Sequence, residues 1–186
     1  MYFMKRKLLI IIILLLSTII LVKSNMNKDI KFNYHPVLNM YDMSTPEKAV
    51  GAVDYIFVAK INSIKKTLYS DYEPYTVYNI TILENIKGNL LTDITLTQMG
   101  GIFKNKKEYI LPSDTKLLKQ GKTYLILAYV PEYNGDLQIN SNYNYIELND
   151  SKDELITRYQ QAYENEEVPE QKKDSFISKY DISLNQ

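Results

Sequence analysis

Between Tyr55 and Leu148 the chain is a series of short apolar stretches, each closed by glycine, proline or asparagine. No stretch there holds the 3.6-residue period long enough to make a helix of ten or more residues, so strands must build the framework. Residues 55–59 (YIFVA) and 124–130 are apolar on both alternations, as a strand buried on both faces requires. Tyr78, Ile80 and Ile82 alternate with Asn79 and Thr81. Ile94 and Leu96 likewise alternate with Asp93, Thr95 and Thr97, the pattern of a strand with one wet face. Turn residues fall at 72–74, 87–89, 119–122 and 131–135, and short strands near 136–139 and 145–148 complete the β region. Gly100-Gly101 ends one strand, and residues 102–115 show no clear period.

Helical signals flank this region. Ser44 or Thr45 can cap a helix that has Pro46 at its first position and Glu47 in its first turn, running to about Val53. After Asp150 or Ser151, Leu155, Ile156, Tyr159, Ala162 and Tyr163 recur at helical spacing and predict an amphipathic helix packed on the sheet. Short strands with burial on both faces predict a small closed barrel capped by helices rather than an open sheet.

The N-terminal segment predicts export of the rest of the chain. Residues 8–22 carry no charge, and thirteen of the fifteen are Leu, Ile or Val. That length fits a signal-peptide core and is short of the roughly 20 residues of a spanning helix. Lys5, Arg6 and Lys7 precede it, so the rest of the chain is expected outside. Residues 1–23 therefore read as a signal peptide or a signal anchor, and residues 8–22 touch the membrane if the leader is not cleaved. Residues 24–43 read as a linker, residues 44–163 as the domain, and residues 164–186 as an acidic, partly disordered tail.

Setting aside Lys5, Arg6, Lys7 and Lys23 leaves 18 basic residues against 22 acidic ones, a net of −4. Nucleic acid is therefore not an expected partner, since phosphate binding needs clustered positive charge. The chain has no cysteine, which excludes disulfides, thiolate zinc sites and cysteine nucleophiles.

Four phrases resemble one fold family. They are residues 53–61 (VDYIFVAKI), 75–88 (YTVYNITILENIKG), 94–101 (ITLTQMGG) and 117–125 (LLKQGKTYL). In this order they are similar to the first four strands of the netrin-like, tissue-inhibitor-of-metalloproteinase-like OB-fold, including its bacterial cell-surface members. The resemblance spans residues 46–148. It implies a mainly β chain: a five- to six-stranded OB-type barrel with one helix before the first strand and an amphipathic helix after the last. The family's inhibitors place an N-terminal cysteine on the protease zinc. That residue is missing here, so metalloprotease inhibition does not follow.

Few catalytic constellations remain. His35 is the only histidine, and it lies in the linker next to Pro36, which argues against a Ser-His-Asp system and a histidine zinc site. Asp71 with Glu73, or Glu108 with Asp114, could serve carboxylate chemistry, but their spacing selects neither pair. No glycine-rich phosphate loop is present, and no cofactor is expected.

The expected function is a non-enzymatic binding module of the cell envelope whose partner is a protein or glycan. A loop-based protease inhibitor and a carboxylate-dependent envelope hydrolase are the alternatives. The irregular excursion of residues 99–114 is the candidate contact loop, because long loops without structure are usually functional or disordered. Candidate ligand contacts are Met99, Gly100, Gly101, Phe103, Lys104, Lys106, Lys107 and Tyr109, with Tyr72 and Tyr75 beside them. The chain has 17 tyrosines, and the Tyr69, Tyr72, Tyr75 and Tyr78 group could form an aromatic contact face.

Overall fold

A computed structural model describes residues 31–36, 40–70, 73–104, 108–149, 152–172 and 174–185. The leader and the candidates Tyr72, Lys106 and Lys107 lie outside the described residues. In chain order the elements are β1 (Lys31–His35), α1 (Pro46–Ala52), β2 (Tyr55–Tyr69), β3 (Pro74–Lys87), β4 (Asp93–Met99), β5 (Gly101–Ile102) and β6 (Glu108–Pro112). They continue with β7 (Thr123–Ala128), β8 (Leu137–Ile139), β9 (Tyr145–Glu147) and α2 (Lys152–Glu164). The chain is mainly β. Among the described residues no helix is long and apolar enough to cross a membrane.

Six strands form one sheet in the order β8-β4-β3-β2-β7-β9. All neighbours are antiparallel except β4 and β8, which run parallel. The β2–β3 ladder extends from Ile56 opposite Lys87 to Tyr69 opposite Pro74, with register shifts such as that between Ile61 and Ser63. Each extra residue bends the strand and raises its twist, so β2 curves instead of lying flat. Phe57, Ile61, Tyr78, Ile80, Leu96 and Ile126 fill the inner side of this curve. Ile56, Val58, Leu125 and Leu127 face the other way, against Val50 and Val53 and against Ile156, Tyr159 and Ala162 of α2. Residues 55–59 and 124–128 lie between these two cores, which is why they are apolar on both alternations.

The strand ladder departs from the closed barrel expected above. The far edge of β7 is divided. Tyr124, Leu125 and Ile126 pair with β9, and only Tyr129, beyond the end of β7, reaches β8. There Tyr129 and Gln138 exchange two backbone hydrogen bonds, of 2.9 and 2.8 Å. The six-stranded sheet thus does not close into a barrel; its two sides meet at one isolated bridge.

Two more expectations change. Residues 31–35, read as linker, form β1, which pairs in parallel with β6 and so begins a second sheet, β1-β6-β5. Residues 99–114, read as structureless, supply the β5–β6 hairpin of that sheet. Gly100 sits at its root with φ +98, a conformation glycine adopts without strain.

The segment after Glu164, read as a partly disordered tail, is packed. Ser178 is fully buried and Asp181 nearly so. The Tyr55 hydroxyl donates to Asp181 Oδ2 at 2.7 Å and accepts from the Ser178 amide at 3.0 Å. Leu91 N–H donates to the Tyr180 carbonyl, and Ile182 N–H to that of Asn89. Gly51 lets this segment pass close to α1, since a Cβ there would overlap the Glu167 carbonyl. The anchors are polar, so an apolar-poor composition concealed them.

Candidate functional site

The small sheet carries the exposed aromatic surface. In β1 the side chains alternate, and Phe32 and Tyr34 point to one face. They are 56% and 58% exposed, high for rings that a core could have taken in. Phe32 stacks on Tyr109 of β6 with ring centroids 5.2 Å apart and planes 10° apart. Next to Tyr34 a shallow depression is lined by Ser113, Asp114, Thr115 and Lys116. Asn33 Nδ2 donates to Glu108 Oε2 at 3.0 Å on the same strand pair.

The sheet is fastened at its root. Gly100 N–H donates to the Pro74 carbonyl at 2.9 Å, and Thr76 Oγ1 donates to the Gly100 carbonyl at 2.8 Å. The His35 carbonyl accepts from both the amide and the hydroxyl of Ser113. His35 Nε2 stands 3.3 Å from Glu73 Oε1, an ion-pair distance without an aligned hydrogen bond. His35 is therefore a half-buried strand residue beside Glu73, and not the linker residue its sequence context suggested.

The candidates separate into three groups. Phe103, Lys104 and Tyr109 belong to the small sheet or its hairpin, and Lys104 Nζ lies 5.8 Å from the centre of the Tyr69 ring. Gly100, Gly101 and Tyr75 form the hairpin root, where Tyr75 bridges to Gly100. Burial pushes the Tyr75 phenol above its ordinary range, with the Glu73 charge adding to the effect. Met99 points elsewhere, into a cleft described below.

The tyrosine group is not one face. Tyr78 has no exposure. Its hydroxyl donates to Gln98 Oε1 at 2.9 Å, and that oxygen also accepts from Leu118 N–H at 3.1 Å. Gln98 Nε2 donates to the Lys116 carbonyl, and Tyr145 Oη bonds both the carbonyl and the amide of Lys116. Tyr124 Oη accepts from Lys119 N–H. Tyr55, Tyr78, Tyr124 and Tyr145 thus tie loops to the core through their hydroxyls.

Glu108 begins β6, where it accepts from Asn33 Nδ2, and Asp114 lies in the turn beyond the end of that strand, with φ +60. Glu73 faces His35, and Asp71 lies outside the described residues. Among the described residues no three His, Asp or Glu side chains converge as metal ligands.

A second feature had no signal in the sequence. A cleft of about 400 Å³ opens between the end of β7, β8 and the C-terminal segment, with Met40, Met99, Tyr129 and Phe176 among its walls. At its floor Asp54 and Lys172 form an ion pair of 3.0 Å, 7% and 6% exposed. Asp54 Oδ2 accepts from Val130 N–H, and Lys172 Nζ donates to the Val53 carbonyl, both at 2.9 Å. The two residues are far apart in sequence, and only the packing of the C-terminal segment brings them together.

No family model matches this chain, and no curated protein matches it.

Proposed function

We propose that this protein is a non-enzymatic binding module of the cell envelope that meets a protein or glycan through the small β1-β6-β5 sheet. The observation that carries the reading is the strip formed by Phe32, Tyr34 and Tyr109. Two of its rings are more than half exposed, and one is stacked, so a partner meets a rigid apolar surface at little entropic cost. Contiguous exposed aromatic surface on a folded domain marks contact sites. The leader pattern of residues 8–22 supports an extracytoplasmic place, either tethered or released.

The OB-type reading belongs to the same proposal. It is supported by the cyclic order β2, β3, β4, β8, β7, by the parallel β4–β8 pair and by the Tyr129–Gln138 bridge. Barrels of this type bind ligands on a sheet face and in connecting loops.

The test compares the full chain with a Phe32→Ala/Tyr34→Ala variant. Both are sedimented with purified cell-wall glycan and both are offered to envelope extract. Retention of the parent with at least tenfold less of the variant supports the reading. Equal retention of the two removes the strip from the function.

A further inference from the structure

The chain contains a single Asn-Gly pair, Asn134-Gly135, and the aromatic strip does not use it. The pair lies in the turn between β7 and β8, and Asn134 is exposed. Its side chain is nevertheless held. Asn134 Oδ1 accepts from the Asp136 amide at 2.9 Å, an Asx turn that folds the carboxamide back over the intervening Gly135 amide. Gly135 has no Cβ to crowd that approach. Its N–H is loosely engaged, because it shares the Pro131 carbonyl with Asn134 N–H, at 3.3 and 3.4 Å.

This arrangement sets a nucleophile beside an electrophile. The Asp136 N–H polarises the Asn134 carboxamide carbonyl and is placed to hold the negative charge that its oxygen gains on attack. The same turn also carries the C-terminal segment. The Gly135 carbonyl accepts from Lys179 N–H at 3.0 Å and from Ser178 Oγ at 3.1 Å, and Lys179 Nζ pairs with Asp136. A Cβ on Gly135 would stand 3.2 Å from the Lys179 nitrogen, so the two backbones touch here.

We propose that Asn134 is a site of spontaneous self-modification, whose isoaspartate product releases the C-terminal segment from this turn. The Gly135 nitrogen gives its proton to water and bonds to Asn134 Cγ. The Cγ–Nδ2 bond breaks, and ammonia leaves after taking a proton from water. The five-membered imide that remains is opened by water at either carbonyl. Opening at Cγ restores the main chain and leaves aspartate. Opening at the former main-chain carbonyl leaves isoaspartate, with the chain running through Cβ and Cγ. That path is one atom longer, and it moves the Gly135 carbonyl away from Lys179 N–H and Ser178 Oγ.

The experiment incubates the folded full chain in mildly alkaline buffer and follows intact mass and peptide maps. The expected result is a gain of one dalton located at Asn134, at least tenfold faster than at Asn62 or Asn140, each of which precedes serine. Asn134→Gln, whose side chain must close a larger ring, should show no such gain over the same time. The isoaspartate form, separated by chromatography, should exchange the Lys179 amide at least tenfold faster than the parent, with protection at 124–128 unchanged. Asn134→Asp carries the new charge on an unaltered main chain and should exchange as the parent does. Conversion at Asn134 no faster than at Asn62 and Asn140 overturns the site. Equal exchange at Lys179 in the isoaspartate form and the parent, or equal acceleration in Asn134→Asp, overturns the release.

Discussion

Phe32 and Tyr109 stack face to face across a parallel strand pair, 5.2 Å between centroids, although 77 positions separate them in the chain. The pair shows that residues 31–35, expected as linker, are part of the folded unit. It also shows how a strip of aromatic rings stays rigid while facing solvent. An aromatic pair of this kind contributes about 0.5–1.5 kcal/mol beyond area burial.

Replacing Phe32 by Ala should therefore loosen β1 without unfolding the main sheet. Amide exchange should accelerate at residues 31–35 and 108–112, while protection at 55–59 and 124–128 stays unchanged. Uniform loss of protection across both sheets would contradict the separation of the small sheet from the core.

Gln98 gathers bonds with three partners on the inner side of the curved sheet: Tyr78 Oη, Leu118 N–H and the Lys116 carbonyl. Gln98→Ala leaves the Tyr78 hydroxyl and the Leu118 amide buried and unpaired, while the Lys116 carbonyl keeps Tyr145 Oη, and should cost about 3 kcal/mol, whereas Tyr78→Phe removes one neutral bond and should cost about 1 kcal/mol. Urea denaturation of the two variants checks the order. A larger loss for Tyr78→Phe would mean that the network is not centred on Gln98.

Gly51 is required by contact rather than by its own dihedral angles. Gly51→Ala drives a methyl group into the Glu167 carbonyl, and backbone cannot swing aside as a side chain can. The expected loss is about 2 kcal/mol, typical of overpacking. Limited proteolysis should show new cleavage beyond residue 164 before any cleavage in the sheets. Unchanged protease resistance would place the segment farther from α1 than described.

Asp181 sets the acid sensitivity of the same segment. Burial alone would raise its pKa, but hydrogen bonds from Ser183 and from Tyr55 outweigh that, and the carboxyl titrates below its ordinary value. A group with a folded pKa below its unfolded one stabilises fully above the unfolded value, and that stability is lost as pH falls through the folded value. The C-terminal segment should therefore hold at neutral pH and release progressively below about pH 4, the ordinary range of a free aspartate. In Asp181→Asn the attachment should be weaker at pH 7, and this contribution to acid sensitivity should vanish. Exchange rates at Ser178 and Leu91 measured against pH read both effects. An unchanged acid profile in the variant would assign the sensitivity to another group.

The strands buried on both faces were legible because burial between two cores leaves no polar alternation, and residues 55–59 and 124–128 show none. The turns were legible through glycine and proline. The lack of closure was not, because it depends on how β9 and β8 divide one edge of β7, a matter of three-residue strands that leave almost no periodicity. β1 was concealed by its company. Its Phe-x-Tyr alternation is a strand signal, but it stands alone between polar residues and Pro36, and its partner β6 lies in a stretch without a period. The described candidate contact residues do not share one surface. Met99 turns into the cleft, while Tyr109 turns to the strip. Asp54 and Lys172 left no trace, since an ion pair joining the start of β2 to the C-terminal segment has no local spacing to read.

The most direct measurement is site-specific photo-crosslinking in intact cells, with a photoreactive phenylalanine analogue placed at position 32, at position 34 or at position 133. Tyr133 is 82% exposed and lies off the strip, so it controls for mere accessibility. The account predicts one discrete envelope adduct from positions 32 and 34 and none from position 133. Equal adducts from all three, or adducts from position 133 alone, would contradict it.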